Sequence, residues 1–137
     1  LSQESYKKDS ERWLRQSEAD IGAANGSLKN KNYEWACFQS QQAAEKALKS
    51  LYYFHAADPW GHSVIKLINE FPKKRDKKEI AFLLDEAGEL DKLYIPTRYP
   101  NGLPELTPSE VYTKKEAQKA IKAAKAIIKK VKELQNK

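Results

Sequence analysis

At 137 residues, with 32% charged side chains and a net charge of +6, the chain has the size of one compact domain and excludes a low-complexity polymer. Its pI near 9.3 suits an anionic partner, but the charges are of both signs, so composition alone marks no nucleic-acid surface. The single cysteine, Cys37, excludes an internal disulfide and reads as a buried thiol in a reducing compartment. In chain order, the first predicted helix runs from about Gln3 to Leu28, with Tyr6, Trp13, Ile21, Ala24 and Leu28 on its inner side. Asn25-Gly26 weakens its last turns, and Asn30-Lys31-Asn32 forms the turn that follows.

The second helix, from Tyr33 to about His55, carries two messages. Tyr33, Ala36, Cys37, Ser40, Ala44, Ala47, Leu48, Leu51 and Phe54 recur at three- and four-residue steps and form a core face. Rotated round the same helix, Trp35, Phe38, Gln42, Glu45, Lys49 and Tyr52 make a second stripe, aromatic at both ends and polar in the middle. Leaving large rings in water forfeits roughly 1.5–3 kcal/mol each, so this stripe is expected to meet a partner helix or a ligand.

Asp58-Pro59-Trp60-Gly61 ends the second helix, and a short third helix runs from Ser63 to Phe71. Pro72 stops it, and Lys73-Lys74-Arg75-Asp76-Lys77-Lys78 reads as a solvated connector or first helical turn, with an anion-binding patch as the alternative. A fourth helix is expected from about Lys78 to Leu93 on Ile80, Leu83, Leu84, Ala87 and Leu90. Three prolines and a glycine exclude regular helix from Tyr94 to Pro104, yet Tyr94, Arg98 and Tyr99 make this the candidate functional loop. The last helix begins at a capping box, Thr113 with Glu116, after a preliminary turn capped by Thr107, and carries an apolar seam of Ala117, Ile121, Ala124, Ile128, Val131 and Leu134. No segment shows the two-residue alternation of a strand. The expected fold is one all-α domain over residues 1–137, an up-and-down bundle of four long helices plus one short helix.

No catalytic constellation is evident. His55, Asp58 and His62 cluster about one turn, but their spacing matches no zinc signature, and no metal or cofactor is expected. The five glycines form neither a Walker loop nor a dinucleotide fingerprint, and there is no nucleophile elbow. What remains is the polar part of the second stripe together with the loop: Gln42, Glu45, Lys49, Tyr94, Arg98 and Tyr99 are the candidate ligand-binding residues. Arg98 offers a planar fork for phosphate or carboxylate, and a tyrosine ring offers a stacking surface. If Arg98 approaches Glu45 or Lys49, the loop would close a polar cleft with Gln42 and Lys49 opposite. The alternative is an Arg98–Glu45 ion pair that pins the loop to the bundle without a ligand. The apolar end of the stripe, Trp35 and Phe38, is expected to form a homodimer interface. No stretch reaches the ~20 apolar residues of a membrane span and no signal-peptide pattern is visible, so a soluble cytoplasmic protein is expected.

The stretch Trp35 to Lys49, then Gly61-His62-Ser63-Val64-Ile65-Lys66-Leu67, then Leu90 to Pro100, resembles the HEPN domain in order and spacing, and the match extends from about Trp13 to Leu134. The resemblance implies a four- or five-helix bundle, usually a homodimer, with a nucleotide-binding role and a minimal nucleotidyltransferase as partner in a toxin–antitoxin-like pair. Ribonucleases of the wider superfamily use an arginine followed after four to six residues by a histidine. Arg98 is followed at those positions by Leu103, Pro104 and Glu105, and Arg12, Arg15 and Arg75 also lack a histidine in register. The expectation is therefore a non-catalytic binding module, or else a purely structural dimerisation or regulatory subunit, rather than a ribonuclease.

Overall fold

A computed structural model of the chain describes residues 2–136. Its elements are α1 (Gln3–Lys29), α2 (Tyr33–Phe54), α3 (Val64–Asn69), α4 (Lys74–Ile80), α5 (Leu84–Asp91), α6 (Pro108–Val111) and α7 (Lys114–Gln135), with no strand among the described residues. Side-chain pairs fix the directions. Ser10 meets Ser50 and Ser17 meets Ala43, so α1 and α2 are antiparallel. Lys132 reaches Glu18 at 2.7 Å while Gln135 bonds Ser50, the partner of Ser10, at 2.9 Å, setting α7 antiparallel to α1. Glu79–Lys130 and Glu89–Lys119 pairs at 3.8 and 3.5 Å run the α4–α5 segment antiparallel to α7. The result is the expected all-α, up-and-down bundle.

The contact between α1 and α2 is made by small residues. Ser10, Ser17 and Ala24 recur every seven residues on α1, as do Ala36, Ala43 and Ser50 on α2, and all are buried. Such a repeat keeps one seam facing its partner along both helices. Ser10 Oγ donates to the Ser50 carbonyl at 2.9 Å, Ser50 Oγ donates to the Ser10 carbonyl at 2.7 Å, and Ser17 Oγ donates to the Ala43 carbonyl at 2.6 Å. Reading only apolar residues for the inner side of α1 finds Ala24 but misses the two serines. Tyr6, Trp13, Ile21 and Leu28 flank the seam and are part-exposed, while two serines and an alanine occupy its centre.

The seam of α7 is buried throughout as expected, and Thr113 and Glu116 form the reciprocal capping box that starts it. Of the two readings of the basic run Lys73 to Lys78, the first helical turn holds over the solvated connector: α4 starts at Lys74, ahead of the expected Lys78, because Asp76 in its first turn suits the positive helix end and is held by His55. The fourth long segment is consequently a composite, α4 and α5 joined by a 3₁₀ turn at Ala81–Leu83. Phe54, assigned to the core face of α2, is 44% exposed, because it is the last residue of the helix and packs edge-on to His55 beyond the bundle. Cys37 is fully buried, and desolvation pushes its thiol up to about 12.

Asp91 anchors the short helix. Its carboxylate accepts from Ser63 Oγ (2.6 Å), Val64 N (2.6 Å) and Ile65 N (3.2 Å), covering amides at the start of α3 that have no helical partner. Gly61, at φ +81°, makes the turn into it, and the Tyr52 hydroxyl donates to the Leu67 carbonyl at 2.7 Å.

The seam and the anchor differ in how they should fail. Replacing Ser17→Leu forces bulk between two close backbones and is expected to cost about 1–3 kcal/mol in urea unfolding. Replacing Asp91→Ala removes a cap and is expected to cost about 1–2 kcal/mol. Unfolding midpoints unchanged in both variants would show that neither contact supports the bundle.

Candidate functional site

The second stripe of α2 divides in two. Its lower half is covered by the chain itself. Glu45 and Lys49 are buried, with Lys49 Nζ donating to Glu45 Oε2 at 3.0 Å and lying 5.6 Å from the Trp13 ring centroid on α1. Tyr52 packs edge-on against Phe71 at 4.9 Å. The other Glu45 oxygen accepts from Gln41 Nε2 at 3.3 Å, and the same amide nitrogen donates to the His62 carbonyl at 3.0 Å. Gln42 Nε2 donates to Gln41 Oε1 at 2.7 Å, so the half-buried Gln42 joins the network at its edge. Among the described residues no buried side-chain polar atom lacks a partner, so this interior network is satisfied.

His62 reaches the network from the turn before α3. Its Nδ1 lies 3.3 Å from Glu45 Oε2, an acceptor also facing the Lys49 ammonium, so Nδ1 is the donor. The imidazole stacks on Tyr94, with centroids 4.9 Å apart and planes at 17°, and its side chain is 58% exposed. A buried carboxylate and an aromatic face thus hold an otherwise open imidazole. His62 and Gln41 were not among the candidate residues. A lone histidine in a glycine turn carries no periodic signal, and Gln41 sits between the two faces of α2.

The upper half of the stripe meets the loop. Arg98 does not pair with Glu45; it lies on rings. Its guanidinium carbon is 4.4 Å from the Phe38 centroid, 4.7 Å from Tyr94 and 5.4 Å from Tyr99. Arg98 Nε donates to the Tyr94 carbonyl at 2.9 Å, and no other hydrogen bond or ion pair engages the guanidinium among the described residues. The loop that carries it is built, not slack. Thr97 is buried with its hydroxyl on the Leu93 carbonyl at 2.7 Å, and Arg98 N bonds the Ile95 carbonyl at 3.1 Å. Trp35 stands edge-on to Phe38 at 6.1 Å and is 46% exposed.

The six candidate residues therefore fall into two groups that meet at Tyr94. Tyr94, Arg98 and Tyr99 form an open cationic and aromatic cluster on Phe38, with Gln42 one helical turn from Phe38. Glu45 and Lys49 form a buried pair, and Lys49 stands about 16 Å along α2 from Phe38. The cleft with Arg98 and Lys49 as a joint anion clamp does not form in this arrangement, because Glu45 neutralises Lys49. Glu45→Ala leaves the Lys49 ammonium buried and alone, an expected loss of about 3–5 kcal/mol, whereas Glu45→Leu with Lys49→Met is expected to recover most of it. Thermal and urea unfolding of the three proteins checks this, and equal stability of the single and double variants would count against a buried pair.

The described residues contain no group of three or more metal-ligating side chains and no helix long and apolar enough to cross a membrane. No curated protein matches the chain. The chain resembles the protein TT1696 from Thermus thermophilus at 41% identity, covering 90% of this chain and 96% of that one, with a TM-score of 0.85. It resembles ST0689, an archaeal HEPN homologue, at 37% identity, covering 92% and 97%, with a TM-score of 0.75. A HEPN domain protein of Thermotoga maritima, TM0613, is 32% identical over 92% of this chain and 98% of its own, with a TM-score of 0.69. The HEPN domain model itself matches residues 10–134, nearly all of the bundle and both halves of the candidate site, and the chain belongs to the HEPN domain family.

Proposed function

We propose that this chain is a non-catalytic, homodimeric binding module of the cytoplasm that takes a nucleotide or another phosphate-bearing ligand at Arg98. The observation that carries the reading is the state of that guanidinium: it is laid on three rings and, among the described residues, tethered only through Nε and free of any carboxylate. The three ring contacts and the Nε tether hold the fork in place, so its remaining N–H groups can meet an anion with little further loss of freedom. Tyr99, half exposed beside it, supplies a ring for a base, and Gln42 a polar group. A minimal nucleotidyltransferase is the proposed partner, in a toxin–antitoxin-like pair, as the resemblance to the HEPN domain implies.

The dimer is proposed to form over Trp35, whose exposed indole continues the aromatic cluster to the surface. A dimerisation or regulatory subunit without any ligand is the rival reading. A second rival, cleavage of single-stranded RNA, would have to use His62 as its base, since no histidine follows Arg98 in register; the shared Tyr94 ring is the observation in its favour.

Calorimetric titration with nucleoside mono- and triphosphates is expected to give binding that weakens at least about tenfold in Arg98→Ala and changes little in His62→Ala. Sedimentation at micromolar concentration is expected to give a dimer that Trp35→Ala weakens. Native protein that binds none of these ligands at millimolar concentration leaves the dimerisation reading. Metal-independent RNA cleavage lost in both Arg98→Ala and His62→Ala would establish the enzymatic one.

A further inference from the structure

A second concentration of unneutralised cation lies at the opposite end of α2, about 24 Å along the helix from Phe38. The run Lys73 to Lys78 contains one acid, Asp76, and that acid is turned inward. Asp76 Oδ2 is 2.6 Å from His55 Nε2, and the carboxylate side chain is 13% exposed. His55 is held edge-on by Phe54 at 5.3 Å and Phe71 at 5.7 Å, so the pair is fixed from both sides. The counter-charge within the run is thus committed to an internal contact. Neither Lys73 nor Arg75 makes an ion pair among the described residues.

These two cations line a crevice of about 410 Å³ between the end of α2, the start of α4 and the end of α7, together with Phe54, His55, Asp76 and Leu134. One side is cationic. The other carries the half-exposed Phe54 ring and the Leu134 side chain. The volume falls in the range of sites for small organic ligands, and two long cations beside an aromatic wall select an anion with a flat apolar body. Asp76 stands against a bare polyanion packed deep in the crevice, since its carboxylate is on the lining; a ligand with one anionic group at the Lys73–Arg75 rim and a ring on Phe54 avoids it.

We propose that this crevice is a second binding site, for a small aryl phosphate: Lys73 and Arg75 hold the phosphate and Phe54 stacks on the ring. It is independent of the Arg98 site. The test is titration of the full chain with phenyl phosphate and with inorganic phosphate, followed by calorimetry and by chemical-shift changes at Phe54 and His55. Phenyl phosphate is expected to bind more tightly than inorganic phosphate. The double variant Lys73→Gln with Arg75→Gln, both positions being exposed, is expected to weaken it at least about tenfold. Phe54→Ala is expected to abolish the preference for the aryl compound, read from the His55 shift, so that phenyl phosphate held at Arg98 does not enter the comparison. The proposal is overturned if phenyl phosphate at millimolar concentration leaves the Phe54 and His55 shifts in place, or if the double variant shows the same shift changes as the native chain.

Discussion

The bundle depends on how closely α1 and α2 approach. Helix axes pack at a distance set by the side chains between them, and here those are serine and alanine at every seventh position. The serine hydroxyls donate to carbonyls of the facing helix, so they satisfy themselves while adding little bulk. Ser50 also accepts from Gln135 at 2.9 Å, which ties the end of α7 to the same point. A seam of leucines in these places would hold the helices apart and leave α7 and α3 without the surfaces they cover.

That close approach explains why one polar stripe of α2 is buried and another part is open. Pressing α1 against α2 brings Trp13 over Lys49, and the turn before α3 brings His62 over Glu45, so the middle of the stripe is roofed by the chain itself. A buried ammonium and carboxylate gain from each other only when further hydrogen bonds complete their shells, and Gln41 and His62 supply those for Glu45. Nearer the start of α2 the roof is the Tyr94–Asn101 loop, which covers Phe38 with an arginine and leaves Trp35 half exposed.

How much of this is legible in the sequence follows from which interactions are periodic. The α7 seam and its Thr113 box are readable because a repeated spacing and a local capping pattern each specify geometry on their own. The doubled face of α2 is readable as an anomaly, since rings beside Gln, Glu and Lys do not suit water. Its resolution is so only in part: Gln41 and Lys49 lie one turn to either side of Glu45 on α2, but His62 comes from a turn whose placement is tertiary. Ser10 and Ser17 pass for polar surface, although a hydroxyl that bonds a facing carbonyl is a core residue. The basic run before Ile80 reads as solvated connector or first helical turn, and what decides between them is its one acid, held by His55 in a contact across the fold.

Lys49 and Arg98 show why pairing, rather than charge, separates architecture from a binding site. Both are cations set against aromatic rings, and from the sequence both suit an anion. Lys49 has a carboxylate at 3.0 Å inside the bundle, so an incoming phosphate would have to displace Glu45 and strand its charge in a dry setting. Arg98 carries no such penalty: its rings orient it without cancelling its charge, since the π faces attract the cation but offer no proton acceptor of carboxylate strength. The same distinction applies within α4 and its cap, where Asp76 is committed to His55 and Lys73 and Arg75 are not. In a bundle whose buried side-chain polar groups are all satisfied among the described residues, the proposed anion sites rest on the cations left without a counter-ion.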